Sequence, residues 1–246
     1  MKLIVTESYE ESSRVLADMF EEVITKKPNA VLGLATGSSP VGLYRYLVQD
    51  YKAGKLDFSK IHTINLDEYE GLSRSHEQSF GYFMDKHLFS EVNLKEENIM
   101  LVDGAGDMEE QIKRYDDFLE ENPIDILVLG IGNNGHIGFN EPDEVFWAGT
   151  HLVKLEEETI KANARFFEKE SDVPGRAVTM GMSGIVNAEK VVLIASGKAK
   201  ADAVCRLLED DKIDPMLPCS ILKVCRDAVV IVDRELYEQT GRDENE

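Results

Sequence analysis

Apolar runs alternate with amphipathic segments along almost the whole chain. The apolar runs are short, as expected of buried strands, and the segments between them repeat apolar residues every three to four positions, as helices do. The predicted strands are residues 3–6, 30–34, 61–66, 99–102, 124–129, 190–195 and 228–232. The predicted helices are residues 8–25, 41–51, 79–89, 107–121 and 198–208.

Most of the predicted strands are apolar on both faces. Strands of that kind, separated by helices, favour a mostly parallel sheet with helices packed on both faces. A length of 246 residues suits one domain, and no repeat or linker divides the chain. We therefore predict a single α/β domain over residues 1–246 with a doubly wound, Rossmann-like sheet. In such a sheet, ligands bind beyond the carboxyl ends of the strands, so the residues that follow each strand are the candidates for a site.

Charge and cysteine content exclude several classes of partner. Asp and Glu number 47 against 27 Lys and Arg, a net charge of −20 that argues against nucleic acid or an anionic membrane as partner. No apolar run approaches the roughly 18 residues that span a bilayer, and the run at residues 3–5 is too short for a signal peptide. The three cysteines form no CxxC pair and no disulfide framework. We expect a cytoplasmic protein.

The segment after the second predicted strand is a candidate anion site. It contains small and hydroxyl-bearing residues directly before a helix, so backbone N–H groups and side chains can surround an anion. The residues concerned are Thr36, Gly37, Ser38 and Ser39. A plain turn with a serine cap is the alternative interpretation. A nucleotide P-loop is excluded because the Gly-Lys-Ser/Thr element is missing.

Two adjacent acids, Asp67 and Glu68, follow the third predicted strand. Burying carboxylates is costly, and a partly buried carboxylate has a raised pKa that suits a general base. Because neighbouring residues in an extended segment point to opposite sides, only one of the two is expected to face a given pocket. The alternative is an ordinary acidic loop in an acidic protein.

The segment at residues 130–142 contains the string Gly-x-Gly-x-x-Gly but lacks the context of a dinucleotide site. That motif opens a helix early in the chain, whereas this one lies in the middle and continues to Pro142, which disfavours a helix just before it. We interpret the segment as a glycine-rich loop that displays Asn134, His136, Asn140 and Glu141. A histidine with a nearby carboxylate can transfer protons. The alternative is a histidine with a structural role.

Two cations are candidates for binding an anionic substrate, namely Arg165 and Lys200, although each could be an ordinary surface residue. The charged segment at residues 143–172, which carries Arg165, is a predicted lid. The remaining histidines lack metal-ligand spacing, so we predict no metal site. The sequence contains no Gly-x-Ser-x-Gly elbow and no Cys beside His136, so nucleophilic catalysis has no support.

Taken together, these segments resemble the glucosamine-6-phosphate deaminase family. The string Gly-His-Ile-Gly-Phe-Asn-Glu-Pro at residues 135–142 is specific, whereas the related 6-phosphogluconolactonases share the Gly-His but not the Phe-Asn-Glu-Pro. The matching stretches are residues 33–40, 66–72, 130–142 and 163–167, and the pair Gly197 and Lys200.

The resemblance implies conversion of glucosamine 6-phosphate and water to fructose 6-phosphate and ammonia, without a metal or organic cofactor. By this resemblance, His136 moves a proton to open the sugar ring and Glu141 orients it. Asp67 then takes the C2 proton and returns it at C1. The substrate phosphate would be held by Thr36, Gly37, Ser38, Ser39, Arg165 and Lys200. A lactonase on the same fold and a non-catalytic sugar-phosphate sensor are the alternatives.

Two departures from the family pattern modify this expectation. Allosteric members carry Asp where this chain has Asn134. An asparagine side chain can orient its neighbours by hydrogen bonds but cannot share a proton. We therefore expect Asn134 to support the catalytic pair of His136 and Glu141. Allosteric members also bind an effector phosphate through Ser, Arg and Lys, at positions that here read Glu144, His151 and Val153. We expect a non-allosteric enzyme that is a monomer or a small homo-oligomer.

Overall fold

The computed structural model describes residues 1–164, 167 and 169–241. The strands are β1 Lys2–Thr6, β2 Val31–Leu34, β3 His62–Asn65, β4 Asp67–Tyr69, β5 Ile99–Met100, β6 Ile126–Leu129, β7 His151–Lys154, β8 Arg176–Thr179, β9 Val191–Ala195 and β10 Ala228–Asp233. The α-helices are α1 Tyr9–Lys26, α2 Val41–Lys52, α3 Phe80–His87, α4 Met108–Glu121, α5 Glu157–Asn163, α6 Met182–Val186, α7 Ala201–Glu209 and α8 Arg234–Gln239.

Side-chain caps define where four of the helices begin. The side chains of Ser8, Ser79, Asp107 and Asp233 each accept a hydrogen bond from the backbone N–H three residues further along. Such a cap satisfies one of the N–H groups that the first turn of a helix leaves without an internal partner. The first three caps lie within one residue of the predicted helix starts.

Seven strands form one parallel sheet in the order β1-β10-β9-β6-β2-β3-β5. Every residue of β6, β9 and β10 is buried, so both faces of the sheet are covered. Burial of both faces explains why these strands are apolar without alternation. The predicted parallel α/β sheet is therefore confirmed.

The order of the strands brings distant segments of the chain together. Strands β9, β6, β2 and β3 are consecutive neighbours, and because they are parallel their carboxyl ends lie at one edge of the sheet. After β5 the chain crosses over β3 and β2 to form β6, and the next strands, β9 and β10, extend the sheet in the opposite direction. The crevice beyond such a crossover is the usual ligand site of open α/β sheets.

A second sheet of three antiparallel strands, in the order β4-β8-β7, was not predicted. The sequence predicts an extended segment at the two acids of β4, with an acidic loop as the alternative, but no separate strand there. Strand β7 falls within the predicted lid segment, and no element is predicted over β8. These strands are three or four residues long, and the pairing of β4 with β8 joins segments more than 100 positions apart, as between Asp67 and Thr179. Strands of the main sheet that are equally short are recognised by their apolar runs, whereas these three strands mix polar and apolar residues and have no such run.

Smaller differences concern the ends of elements. Helix α2 begins at Val41, as predicted, directly after Pro40, and β5 is two residues shorter than predicted. Within the described residues, no helix combines the length and the apolar character that crossing a bilayer requires. No group of three or more His, Cys, Asp or Glu side chains there is arranged to hold a metal ion.

Candidate active site

A cavity of about 510 Å³ lies beyond the carboxyl ends of β2, β3, β6 and β9. It collects predicted residues from four separate segments of the chain. Those that line it are Thr36, Gly37, Ser38, Ser39, Asp67, Asn134, His136 and Lys200. Of the two remaining predicted site residues, Glu141 lies behind His136 and does not line this cavity, and Arg165 falls outside the described residues.

The loop between β2 and α2 forms one wall of the cavity. Gly37 adopts a φ of 89°, in the left-handed region that favours glycine. Two tyrosines hold the loop from outside the cavity: the Tyr9 hydroxyl lies 3.1 Å from the Ser38 carbonyl oxygen, and the Tyr44 hydroxyl donates to the Ala35 carbonyl at 2.5 Å. Sequence reasoning did not identify either tyrosine, because nothing local marks a side chain that supports a distant loop.

The two adjacent acids of β4 point in opposite directions, as an extended conformation requires. Asp67 faces the cavity, whereas Glu68 turns away and accepts hydrogen bonds from the N–H groups of Phe80 and Gly81 at 3.0 Å. Glu68 therefore anchors the start of α3. The expectation that only one acid faces the pocket is confirmed, and the structure identifies that acid as Asp67.

The environment of Asp67 keeps its carboxyl group basic. Burial raises the pKa of Asp67 to about 8, and the nearby charge of Glu68 acts in the same direction. Within the described residues, its carboxylate accepts no hydrogen bond that would offset this effect. A carboxyl group with a pKa near neutrality that faces a cavity is well suited to act as a general base.

Gly138 leaves room for the Asp67 carboxylate. Its φ is 58°, and a Cβ atom there would lie 3.3 Å from Oδ2 of Asp67 and 3.0 Å from Oγ1 of Thr179. The Thr179 hydroxyl in turn accepts a hydrogen bond from the N–H of Phe139 at 3.1 Å. The second sheet and the glycine-rich loop are therefore joined directly beside the Asp67 carboxylate.

His136, Asn134 and Glu141 form a hydrogen-bonded triangle. Nδ1 of His136 lies 3.1 Å from Oε2 of Glu141, and Nδ2 of Asn134 donates to the same oxygen at 2.7 Å. The Asn134 side-chain oxygen accepts from the backbone N–H of His136 at 3.1 Å. An ionised carboxylate can only accept hydrogen bonds, so Glu141 favours the tautomer of His136 that carries hydrogen on Nδ1. This tautomer leaves Nε2 of His136 as an acceptor.

The ionisation of Glu141 fits this arrangement. Burial acts to raise the pKa of its carboxyl group, but hydrogen bonds from His136, Thr159 and Asn134 outweigh it and lower that pKa below the usual value. Glu141 is therefore a buried carboxylate that holds the imidazole ring. From its place behind the ring, Glu141 can orient the imidazole of His136.

Gly132 sets the position of the His136 ring. A Cβ atom at Gly132 would lie 2.4 to 2.5 Å from three atoms of the ring, so the imidazole packs directly on the glycine backbone. The Gly132 N–H also donates to the His136 carbonyl at 2.9 Å. No helix begins between residues 130 and 150, which confirms that this Gly-x-Gly-x-x-Gly string is not a dinucleotide fingerprint.

An aromatic cluster forms the wall of the cavity between α3 and the second sheet. Tyr69, Phe80, Phe139 and Phe167 have ring centroids 4.8 to 5.9 Å apart and all line the cavity. Sequence reasoning missed this cluster because its members come from four different segments. Such a wall excludes water from one side of the cavity.

The chain matches, over residues 6–231, the family described as glucosamine-6-phosphate isomerases/6-phosphogluconolactonase, and it belongs to that family. A curated relative from Clostridium perfringens, glucosamine-6-phosphate deaminase, is 48% identical over 237 residues, which cover 96% of this chain and 98% of the relative.

Solved structures separate the two branches of the family. A monomeric glucosamine-6-phosphate deaminase has a TM-score of 0.94 and 40% identity, and the match covers 97% of this chain and 100% of that one. A 6-phosphogluconolactonase from Thermotoga maritima has a TM-score of 0.77 and 18% identity, covering 95% and 99%. The second likeness shows a shared fold alone.

Proposed function

We propose that this chain converts glucosamine 6-phosphate and water to fructose 6-phosphate and ammonia. The observation that carries the proposal is that Asp67 and His136, which are nearly 70 positions apart in the chain, line one cavity together with Lys200. An aldose–ketose isomerisation needs a base for the C2 proton, a group that shuttles a proton on oxygen, and a site for the phosphate. The high similarity to deaminases supports the same assignment.

Ring opening is the first step that the site can perform. The proton of the C1 hydroxyl must leave and the ring oxygen must gain one, while the bond between C1 and that oxygen breaks. The tautomer held by Glu141 leaves Nε2 of His136 able to accept the hydroxyl proton and then deliver it. Asn134 contributes by orienting both partners.

Isomerisation of the open-chain sugar is the second step. Asp67 removes the C2 proton, and the electron pair of that bond forms a double bond between C1 and C2. The π pair of the C1 carbonyl moves onto its oxygen at the same time, and that oxygen takes a proton from solvent. The proton then returns at C1, which leaves an imine at C2 that water hydrolyses to a ketone and ammonia. A carboxyl group whose pKa lies near neutrality can both take up and return this proton.

The substrate phosphate fits the wall formed by residues 35–39. Backbone N–H groups before α2 and the hydroxyls of Thr36, Ser38 and Ser39 can donate to it, and the Lys200 ammonium offers charge in an otherwise acidic protein. Arg165 remains a predicted second cation for this group.

Replacing Lys200 with Ala is expected to raise KM for glucosamine 6-phosphate about tenfold or more, with a smaller change in kcat. Contacts to the phosphate are made equally in the ground state and the transition state, so their loss weakens binding without slowing chemistry. Initial-rate kinetics measure both constants. Lys198→Ala is the matched control, because Lys198 is exposed and pairs with Glu235 at 3.3 Å. A loss confined to kcat in Lys200→Ala would contradict a holding role.

We also propose that residues 143–172 close over the bound substrate. Thr159 and Phe167 from this segment line the cavity, which supports contact between the segment and the substrate. Closure would protect the reactive intermediate from water. Amide hydrogen exchange at residues 151–160 should slow when a substrate analogue binds, and unchanged exchange would refute closure.

We propose further that the enzyme is a cytoplasmic, non-allosteric monomer or small homo-oligomer. Glu144 and Val153, where allosteric relatives have phosphate-binding side chains, are an acid and an apolar residue and do not suit an anionic effector. Hyperbolic kinetics that are unaffected by N-acetylglucosamine 6-phosphate would support this proposal. Sigmoidal kinetics relieved by that compound would contradict it.

The decisive experiment is coupled detection of ammonia from glucosamine 6-phosphate with the purified chain. The same preparation is assayed for hydrolysis of 6-phosphogluconolactone. Ammonia release without lactone hydrolysis is the expected result. Lactone hydrolysis alone would favour the lactonase branch of the family, and binding of the sugar phosphate with neither reaction would favour a sensor.

A further inference from the structure

Thr159 joins helix α5 to the carboxylate that holds His136. Its hydroxyl donates to Oε1 of Glu141 at 2.5 Å, while Oε2 of Glu141 accepts from Asn134 and contacts His136. Thr159 is only 7% exposed, so this hydrogen bond is shielded from water. Two donors to Glu141 therefore belong to the glycine-rich loop, and one belongs to a helix of the proposed lid.

From this geometry we infer that Thr159 is a positioning residue for the catalytic histidine, acting through Glu141. An unrestrained glutamate carboxylate can rotate about its Cγ–Cδ bond, so that Oε1 and Oε2 exchange positions. With Oε1 held by the Thr159 hydroxyl, Oε2 stays directed at Nδ1 of His136. The inference rests on the proposed function, because it assigns Thr159 to the ring-opening machinery of that reaction.

The arrangement makes the position of α5 matter for catalysis. If α5 moves away from the glycine-rich loop, the hydroxyl of Thr159 leaves Glu141 and one of the donors that favour its charged form is lost. Glu141 then becomes a weaker acceptor for the imidazole N–H. Closure of the lid segment and correct placement of His136 are thereby linked by one hydrogen bond.

Several other ionisable side chains lie near Glu141. Besides His136, which faces it from the glycine-rich loop, the hollow behind Glu141 is lined by Asp143, His151, Lys154 and Glu156. These side chains come from the loop after Glu141, from β7 and from the segment before α5. They remain in place in a Thr159 variant, so a change in the titration of Glu141 reports the lost hydroxyl.

The test compares Thr159→Val with Thr159→Ser. Valine keeps the shape of threonine without the hydroxyl, and serine keeps the hydroxyl. Thr159→Val should lower kcat for ammonia release about tenfold with KM nearly unchanged, since a hydrogen bond to a charged group is lost where it positions another residue. Thr159→Ser should restore most of kcat. Thr150→Val is the matched control, because Thr150 is also 7% exposed and its hydroxyl has no partner among the described residues.

A second readout is independent of the reaction. Carbon-13 NMR titration of the Glu141 carboxyl group in the substrate-free protein should show a higher pKa in Thr159→Val than in the unmodified protein, and the original value in Thr150→Val. If Thr159→Val matches Thr150→Val in both kcat and titration, the inference is wrong. If the unmodified protein releases no ammonia, the proposed function fails, while the titration still decides whether Thr159 controls Glu141.

Discussion

Replacing Asp67 with Asn is expected to lower kcat for ammonia release by roughly 10² to 10⁴-fold, the range that a general base contributes. Asparagine keeps the size of the side chain and its place in β4, but its amide cannot accept the C2 proton. KM should change little, because the proposed site for the substrate phosphate lies at another wall of the cavity. Initial-rate kinetics and a substrate-binding measurement test the two parts separately. Turnover equal to that of the unmodified protein would remove Asp67 from the mechanism.

The adjacent acid provides the control for this prediction. Glu68→Gln makes the same chemical change one residue further on, where the side chain faces α3 instead of the cavity. It should retain most of kcat. Because the charge of Glu68 raises the pKa of Asp67, its removal should lower that pKa.

The pH dependence of kcat/KM shows the direction in which Glu68 shifts the pKa of Asp67. A base works only when deprotonated, so kcat/KM for the unmodified protein should rise with pH through the Asp67 pKa of about 8. In Glu68→Gln, the same rise should occur at lower pH. A shift to higher pH would contradict the electrostatic coupling between the two acids.

Replacing Gly132 with Ala is expected to lower kcat about 10²-fold, a loss typical of reacting groups displaced by about 1 Å. The new methyl group would lie 2.4 to 2.5 Å from the His136 ring, closer than atoms can approach, so the ring must move away from its place beside Glu141. Kinetics measure the loss, and the hydrogen-bonded Nδ1 proton of His136 should shift or disappear in the NMR spectrum.

Gly175→Ala is the control for this steric effect. A Cβ atom there has no neighbour within 4 Å, and its backbone conformation suits any residue. It should therefore leave both kcat and the His136 signal unchanged. If Gly132→Ala retained full kcat, the packing of the ring on the glycine backbone would have no bearing on catalysis.

The main sheet and the segments that carry the candidate residues could be predicted because both depend on local pattern. Buried parallel strands such as β6 and β9 must be apolar on both faces, so their runs are visible without any tertiary information. Polar residues directly after those strands, such as His136, are then recognisable as candidates by position alone. The resemblance to a deaminase added the expected roles.

Contacts between distant segments could not be predicted in this way. The second sheet pairs Asp67 with Thr179, and nothing in the sequence of either short strand identifies the strand with which it pairs. The hydroxyls of Tyr9, Tyr44 and Thr159 support the site from elements that carry no motif. A supporting side chain is defined by what it touches after folding, so its type and spacing leave no signal in the sequence.

By itself, then, the amino-acid sequence determined which segments become buried parallel strands and which reactive side chains follow them, because hydrophobic periodicity and turn residues act over a few neighbouring positions. Only the tertiary structure decided that the loops after four adjacent strands open into one cavity, that Asp67 faces it while Glu68 turns away, and that Glu141 stands behind His136. Those outcomes depend on strand order and on packing between residues far apart in the chain.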